Sequence, residues 1–113
     1  MSDHPGLSDE MKLKIGETEN VYVSIASFWE MQIKESLGKF PLKDSVLKVE
    51  KLCRMKRIMV LPIEIGHIEY LKQLPMIHSD PFDRILICQA KTEDLTIITR
   101  DQHIHQYDVK TMW

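Results

Sequence analysis

The chain has 113 residues, 43% of them hydrophobic and 28% charged, with a formal net charge of -2. That balance fits one soluble globular domain with room for a single core and excludes a disordered tail. The charge supplies no general basic field, so nucleic-acid binding would need a local patch or a cation bridging to phosphate. The apolar runs are too short for a membrane span and the start, Met1-Ser2-Asp3-His4-Pro5, lacks the basic and apolar parts of a secretory signal, so a cytoplasmic location is expected.

Along the chain, Leu7 to Ile15 reads as a short helix with Ser8 and Asp9 as capping candidates, broken by Gly16 to Asn20. Val21-Tyr22-Val23-Ser24 is β-branched and aromatic, hence a strand, and Ser24 or Ser27 can cap the helix that follows to about Leu37, where Gly38 ends it. Leu42, Val46, Val49, Leu52 and Cys53 recur at helical spacing through Arg57, with Lys48, Lys51, Arg54, Lys56 and Arg57 supplying positive charge. Ile58 to Ile63 suits a strand leaving a sheet at Pro62, and Ile65, Ile68, Leu71 and Leu74 mark a helix stopped by Pro75.

Asp80 and Pro81 then open a helix to about Glu93, because Asp is a favoured cap and Pro is tolerated at the first helical position. Leu95 to Thr99 is β-branched, Arg100-Asp101 leads into a polar turn, and Val109 to Trp113 is a last candidate strand. Strands alternating with helices predict an α/β layered domain with a mainly parallel sheet, a single unit over residues 1–113. Cys53 and Cys88 have no metal-ligand spacing and fall in apolar helical patterns, as reduced, buried thiols do.

Glu30, Asp83 and Asp101 each fall at or just beyond the carboxyl end of a predicted strand or early in a helix, where a parallel sheet gathers functional groups. Carboxylates brought together there repel one another unless a divalent cation neutralises them, and an oxygen-only set favours magnesium or manganese. Each acid also has a plain structural role open to it. Ser27-x-x-Glu30 fits a capping box, Asp83 suits the macrodipole of a helix's first turn, and Asp101 can close a turn.

The words around these acids carry a resemblance. Ser24-Ile25-Ala26-Ser27-Phe28-Trp29-Glu30-Met31-Gln32-Ile33-Lys34, then His78-Ser79-Asp80-Pro81-Phe82-Asp83-Arg84-Ile85-Leu86-Ile87-Cys88-Gln89-Ala90, then Leu95-Thr96-Ile97-Ile98-Thr99-Arg100-Asp101 resemble, in order and spacing, segments of PIN-domain proteins of the VapC toxin type. The similarity runs from about Leu7 to Trp113.

It implies a PIN-like three-layer α/β fold, a mainly parallel central sheet flanked by helices. It also implies a toxin endoribonuclease that hydrolyses RNA phosphodiester bonds with Mg2+ or Mn2+. Glu30, Asp83 and Asp101 would be the second to fourth members of an acidic quartet holding the cation, with Asp80 and Thr99 as supporting partners and Arg84 orienting Asp83, meeting phosphate or making a helix-surface salt bridge. The implied partners are a cognate antitoxin, whose C-terminal segment fills the acidic groove, and RNA.

The chain also departs from the family. Members begin with an apolar strand ending in Asp-Thr, whereas this sequence starts at a loop resembling Asp3-His4-Pro5-Gly6-Leu7-Ser8. The absent strand is the family's central one, between those expected at 21–24 and 95–99, so a gap in the sheet and association into a two-fold homodimer are expected. Three carboxylates without the fourth should hold a cation less well. The alternative function is therefore a PIN remnant that binds antitoxin or dimerises without catalysis.

The remaining features point to no further chemistry. His67, His78, His103 and His105 show no zinc spacing, the basic run Lys48 to Arg57 reads as a solvated helix face that could also flank the groove and hold RNA backbone, and Trp29, Trp113, Met55 and Met59 read as packing residues.

Overall fold

A computed structural model describes residues 20–38, 45–99 and 101–112. The helix expected at Leu7 to Ile15 and the packing expected of Trp113 lie outside the described residues.

Strand β1 (Tyr22–Ser24) runs directly into helix α1 (Ile25–Ser36). Ser24, not Ser27, is the cap, because its hydroxyl accepts the Ala26 N–H at 3.0 Å. Ser27 is consequently inside the helix, buried, with a hydroxyl that has no hydrogen-bond partner among the described residues. Gly38 ends the helix in the left-handed region at φ 71, where a side chain would be strained, and its N–H bonds the Glu35 carbonyl at 2.9 Å.

Helix α2 (Val46–Met55) is capped by Ser45 and leads to strand β2 (Met59–Leu61). Helix α3 (Ile65–Tyr70) continues as a 3-10 turn over Leu71–Gln73 and stops before Pro75. Helix α4 (Pro81–Glu93) follows, then β3 (Ile97–Ile98), the short helix α5 (Gln102–His105) and β4 (Thr111–Met112). The polar turn expected after Asp101 is thus a helix, with Asp101 as its cap.

Both strand pairs are parallel, as a chain of alternating strands and helices requires. β1 pairs with β2 in the register Tyr22↔Met59, Val23↔Val60, Ser24↔Leu61, and β3 with β4 as Ile97↔Thr111, Ile98↔Met112. Among the described residues these are two separate two-stranded sheets, with the break between β1 and β3 where the sequence leads one to expect a gap.

Helix α4 is the centre of the molecule. Every residue from Asp83 to Ala90 is buried, and Leu86, Ile87, Cys88 and Ala90 pack with Ala26 of α1, Ile97 of β3, Ile104 of α5 and Tyr107. A helix buried all round cannot show a clean one-faced pattern, so its polar members must be satisfied inside. Gln89 is one of these. Its Oε1 accepts the Ser24 hydroxyl at 2.6 Å and its Nε2 donates to the Pro62 carbonyl at 3.1 Å, binding the β1–α1 junction and the exit of β2 to α4.

His67 secures the other end of α4. Its Nδ1 accepts the Glu64 N–H at 2.9 Å, which leaves Nε2 to donate to Glu93 at 3.0 Å. On the periphery, Met55 and Met59, read from the sequence as core fillers, are 70% and 40% exposed, since the outer sides of α2 and β2 have nothing packed on them among the described residues. No helix among the described residues is long and apolar enough to cross a membrane.

Candidate metal centre

The site forms where α4 begins. The Asp80 carboxylate accepts the N–H groups of Phe82 at 2.8 Å and Asp83 at 3.3 Å, and Pro81 occupies the first turn, where a missing N–H costs nothing. This cap places Asp83 one turn in, 8% exposed, with its carboxylate near the positive end of the helix dipole. Donor atoms of His78, Asp80 and Asp83 all lie within 4.8 Å of one another, the one such group of three or more among the described residues. His78 Nε2 is 3.6 Å from Asp83 Oδ2.

Asp101 follows β3 and caps α5. Its N–H donates to the Thr99 hydroxyl at 2.9 Å, and its Oδ1 accepts the His103 N–H at 2.8 Å. Thr99 is wholly buried, so the start of α5 is fixed from within. The His103 ring stacks on that of His78 with centroids 4.1 Å apart and planes 20° from parallel, and its Nδ1 is 3.8 Å from Asp101 Oδ1. Two imidazoles therefore stand in contact between Asp83 and Asp101.

Glu30 lies on α1, its side chain 20% exposed and 3.3 Å from Lys34 one turn on. It does not fold back on a cap, because Ser27 is not one. The preceding residue, Trp29, meets Phe82 edge to face at 5.1 Å and 89°, which brings α1 against the first turn of α4. Trp29 is nonetheless 58% exposed, so it covers Phe82 from outside and is not a core residue. Of the three acids singled out in the sequence, Asp83 is in the inner group, while Glu30 and Asp101 are outside it.

Arg84 has partners that its place in the sequence does not suggest. Its guanidinium is buried and donates to the carbonyls of Pro75 at 3.0 Å and Leu74 at 3.4 Å and to the Tyr107 hydroxyl at 3.3 Å. It is turned inward, its guanidinium held by two main-chain carbonyls and a phenol with 9% of the residue exposed. His78 is the residue that sequence reasoning passed over. It has no zinc spacing with other histidines and cysteines, whereas the usable signal is His78-x-Asp80-x-x-Asp83 straddling a helix start.

Two carboxylates and an imidazole nitrogen can hold a divalent cation, and the oxygen donors suit magnesium or manganese. Lys48, Lys51 and Arg54 on α2 and Lys56 at its C-terminal cap are exposed, Arg54 pairing with Glu50 at 3.0 Å, so this helix carries a solvated basic side.

The family model for the PIN domain matches residues 2–110. Among solved structures, the chain is similar to one described as VapBC2 from Rickettsia felis bound to a DNA fragment from their promoter, with a TM-score of 0.65 and 14% identity over 91% of this chain and 82% of that one. It is also similar to FitAcB from Neisseria gonorrhoeae, with a TM-score of 0.61 and 16% identity over 97% of this chain and 88% of that one. No curated protein sequence matches it.

Proposed function

This chain belongs to the PIN-domain family, and on that footing we propose that it is a toxin-type endoribonuclease of a toxin–antitoxin pair, hydrolysing RNA phosphodiester bonds with Mg2+ or Mn2+. The observation that carries the reading is the near-complete burial of Asp83 within 4.8 Å of Asp80 and His78 at a helix start. A buried carboxylate so close to a second, partly buried one is costly unless a cation or proton neutralises the pair. Asp83 would hold the ion, with Asp80 and His78 beside it and with Glu30 and Asp101 reaching in from the flanking elements. When bound, it would supply charge neutralisation at the phosphate and an activated water.

The chain's own residues prepare that site. Asp80 fixes the turn that carries Asp83, Thr99 fixes the turn that carries Asp101, and Trp29 against Phe82 holds the helix bearing Glu30. The basic side of α2 would attract the RNA backbone. An antitoxin partner is supported by the two structural neighbours described as VapBC2 and FitAcB.

The test is cleavage of end-labelled RNA by the purified protein with Mg2+, with Mn2+ and with EDTA. Cleavage should require the cation and fall to background in Asp83→Asn, and strongly in Asp101→Asn and Glu30→Gln. Cleavage that survives EDTA or Asp83→Asn would refute the reading. A second reading, a module that captures antitoxin or dimerises without catalysis, is favoured by the exposure of Leu37, Leu47 and Met55 at 63%, 77% and 70%. Absent cleavage together with a stable complex with an antitoxin peptide or a dimer in sedimentation would support it.

A further inference from the structure

The segment between Leu74 and Asp80 has no regular secondary structure, yet it delivers His78 and the Asp80 cap to the site. Its backbone polar groups must find partners elsewhere. Two buried side chains provide them. Arg84 takes the carbonyls of Leu74 and Pro75, and the Tyr107 hydroxyl accepts the N–H groups of Ile77 at 3.2 Å and His78 at 2.9 Å and donates to the His78 carbonyl at 3.2 Å.

Tyr107 is 5% exposed, its ring part of the core. A buried phenol needs only one partner for satisfaction. This one is engaged on both sides of a single residue, His78, and also meets Arg84 at 3.3 Å. Tyr107 also closes the segment begun by Asp101, since its main-chain N–H donates to the Ile104 carbonyl in α5 at 3.1 Å. From His78 the contacts continue to Asp83 at 3.6 Å and, through the stack on His103, to Asp101.

We infer that Tyr107 is a positioning residue for this site: its hydroxyl locks the main chain of His78 and, through the His78–His103 stack, sets how Asp83 and Asp101 face each other. The inference deepens the metal-site reading and rests on it for its effect on the cation, but the lock itself can be observed in metal-free protein. Tyr107→Phe keeps the ring in the core and removes only the hydroxyl.

The experiment is amide exchange and imidazole NMR on wild type and Tyr107→Phe, followed by titration with Mn2+. Exchange at Ile77 and His78 should rise roughly tenfold, the equivalent of one lost hydrogen bond, while amides inside α4 keep their protection. Merely lowered global stability would speed both. The ring signals of His78 and His103 should shift together, and Mn2+ affinity should fall about 10–100-fold, the usual effect of losing a group that orients a ligand. Unchanged exchange at His78, or unchanged Mn2+ affinity, overturns the inference.

If wild type binds no Mn2+, the metal reading fails, and the exchange and ring signals alone decide for or against the lock. If Tyr107→Phe does not fold, the wild-type exchange decides: protected Ile77 and His78 amides support the lock, and amides exchanging at the rate of a free chain overturn it.

Discussion

Gln89→Leu probes the join on which the relative placement of α1 and α4 depends. Gln89 is wholly buried and bridges the Ser24 hydroxyl and the Pro62 carbonyl. Leucine fills a similar volume but strands a donor and an acceptor, each costing about 1–3 kcal/mol when buried, and recovers about 1–2 kcal/mol by burying apolar surface. The net destabilisation is about 2–3 kcal/mol. For 113 residues the unfolding entropy near the midpoint is about 0.24 kcal/mol/K, so the melting temperature should fall by about 10 °C. Ser24→Ala alone also loses the α1 cap, and the double variant should recover about 1 kcal/mol relative to the sum, since its partner is then no longer stranded. Urea and thermal unfolding of all four proteins measure the cycle. A loss below about 0.5 kcal/mol in Gln89→Leu, or strict additivity, would show that this bridge does not hold the two elements together.

Asp80→Ala should lose the α4 cap, about 1 kcal/mol or about 4 °C, whereas Asp80→Asn should keep that stability yet weaken Mn2+ binding, since asparagine still caps but carries no charge; equal stability loss in both would refute the separation. Burial pushes the Cys88 thiol up, only partly offset by the Arg84 charge, so little thiolate forms at neutral pH. Native protein should therefore react with iodoacetamide at the partly buried Cys53 before Cys88, and the reverse order would contradict the packing of α4. The Lys110 ammonium, hydrogen-bonded at 2.6 Å, holds the Asp94 carboxyl below its ordinary value. A depressed folded value means the pair contributes above the ordinary carboxylate range and loses its effect as pH falls through the folded value. Lys110→Ala, or high salt, should move the Asp94 midpoint upward in a carboxyl NMR titration, and an unmoved midpoint would show the pair to be screened by water.

The element boundaries were largely legible because their signals are local. Ser24 before a helical run, Asp80-Pro81 at a helix start and Gly38 at a helix end act within one turn, so Ile25–Ser36 and Pro81–Glu93 follow from short words in the chain. The parallel pairing followed from alternation of strands with helices. Local signals also misled where a nearby alternative existed. Ser27 and Ser24 both suited a cap, and only the path of the chain out of β1 chose between them.

What residue types alone established is a family of possibilities: an α/β domain with acids at the ends of strands and the starts of helices, in words that resemble a PIN domain. Tertiary structure decided which side chains meet. It stacked His78 on His103 and turned Arg84 inward onto Tyr107. Such pairings depend on directions set by packing between segments 20 or more residues apart, as between Arg84 and Tyr107, and periodicity along a chain has no term for them.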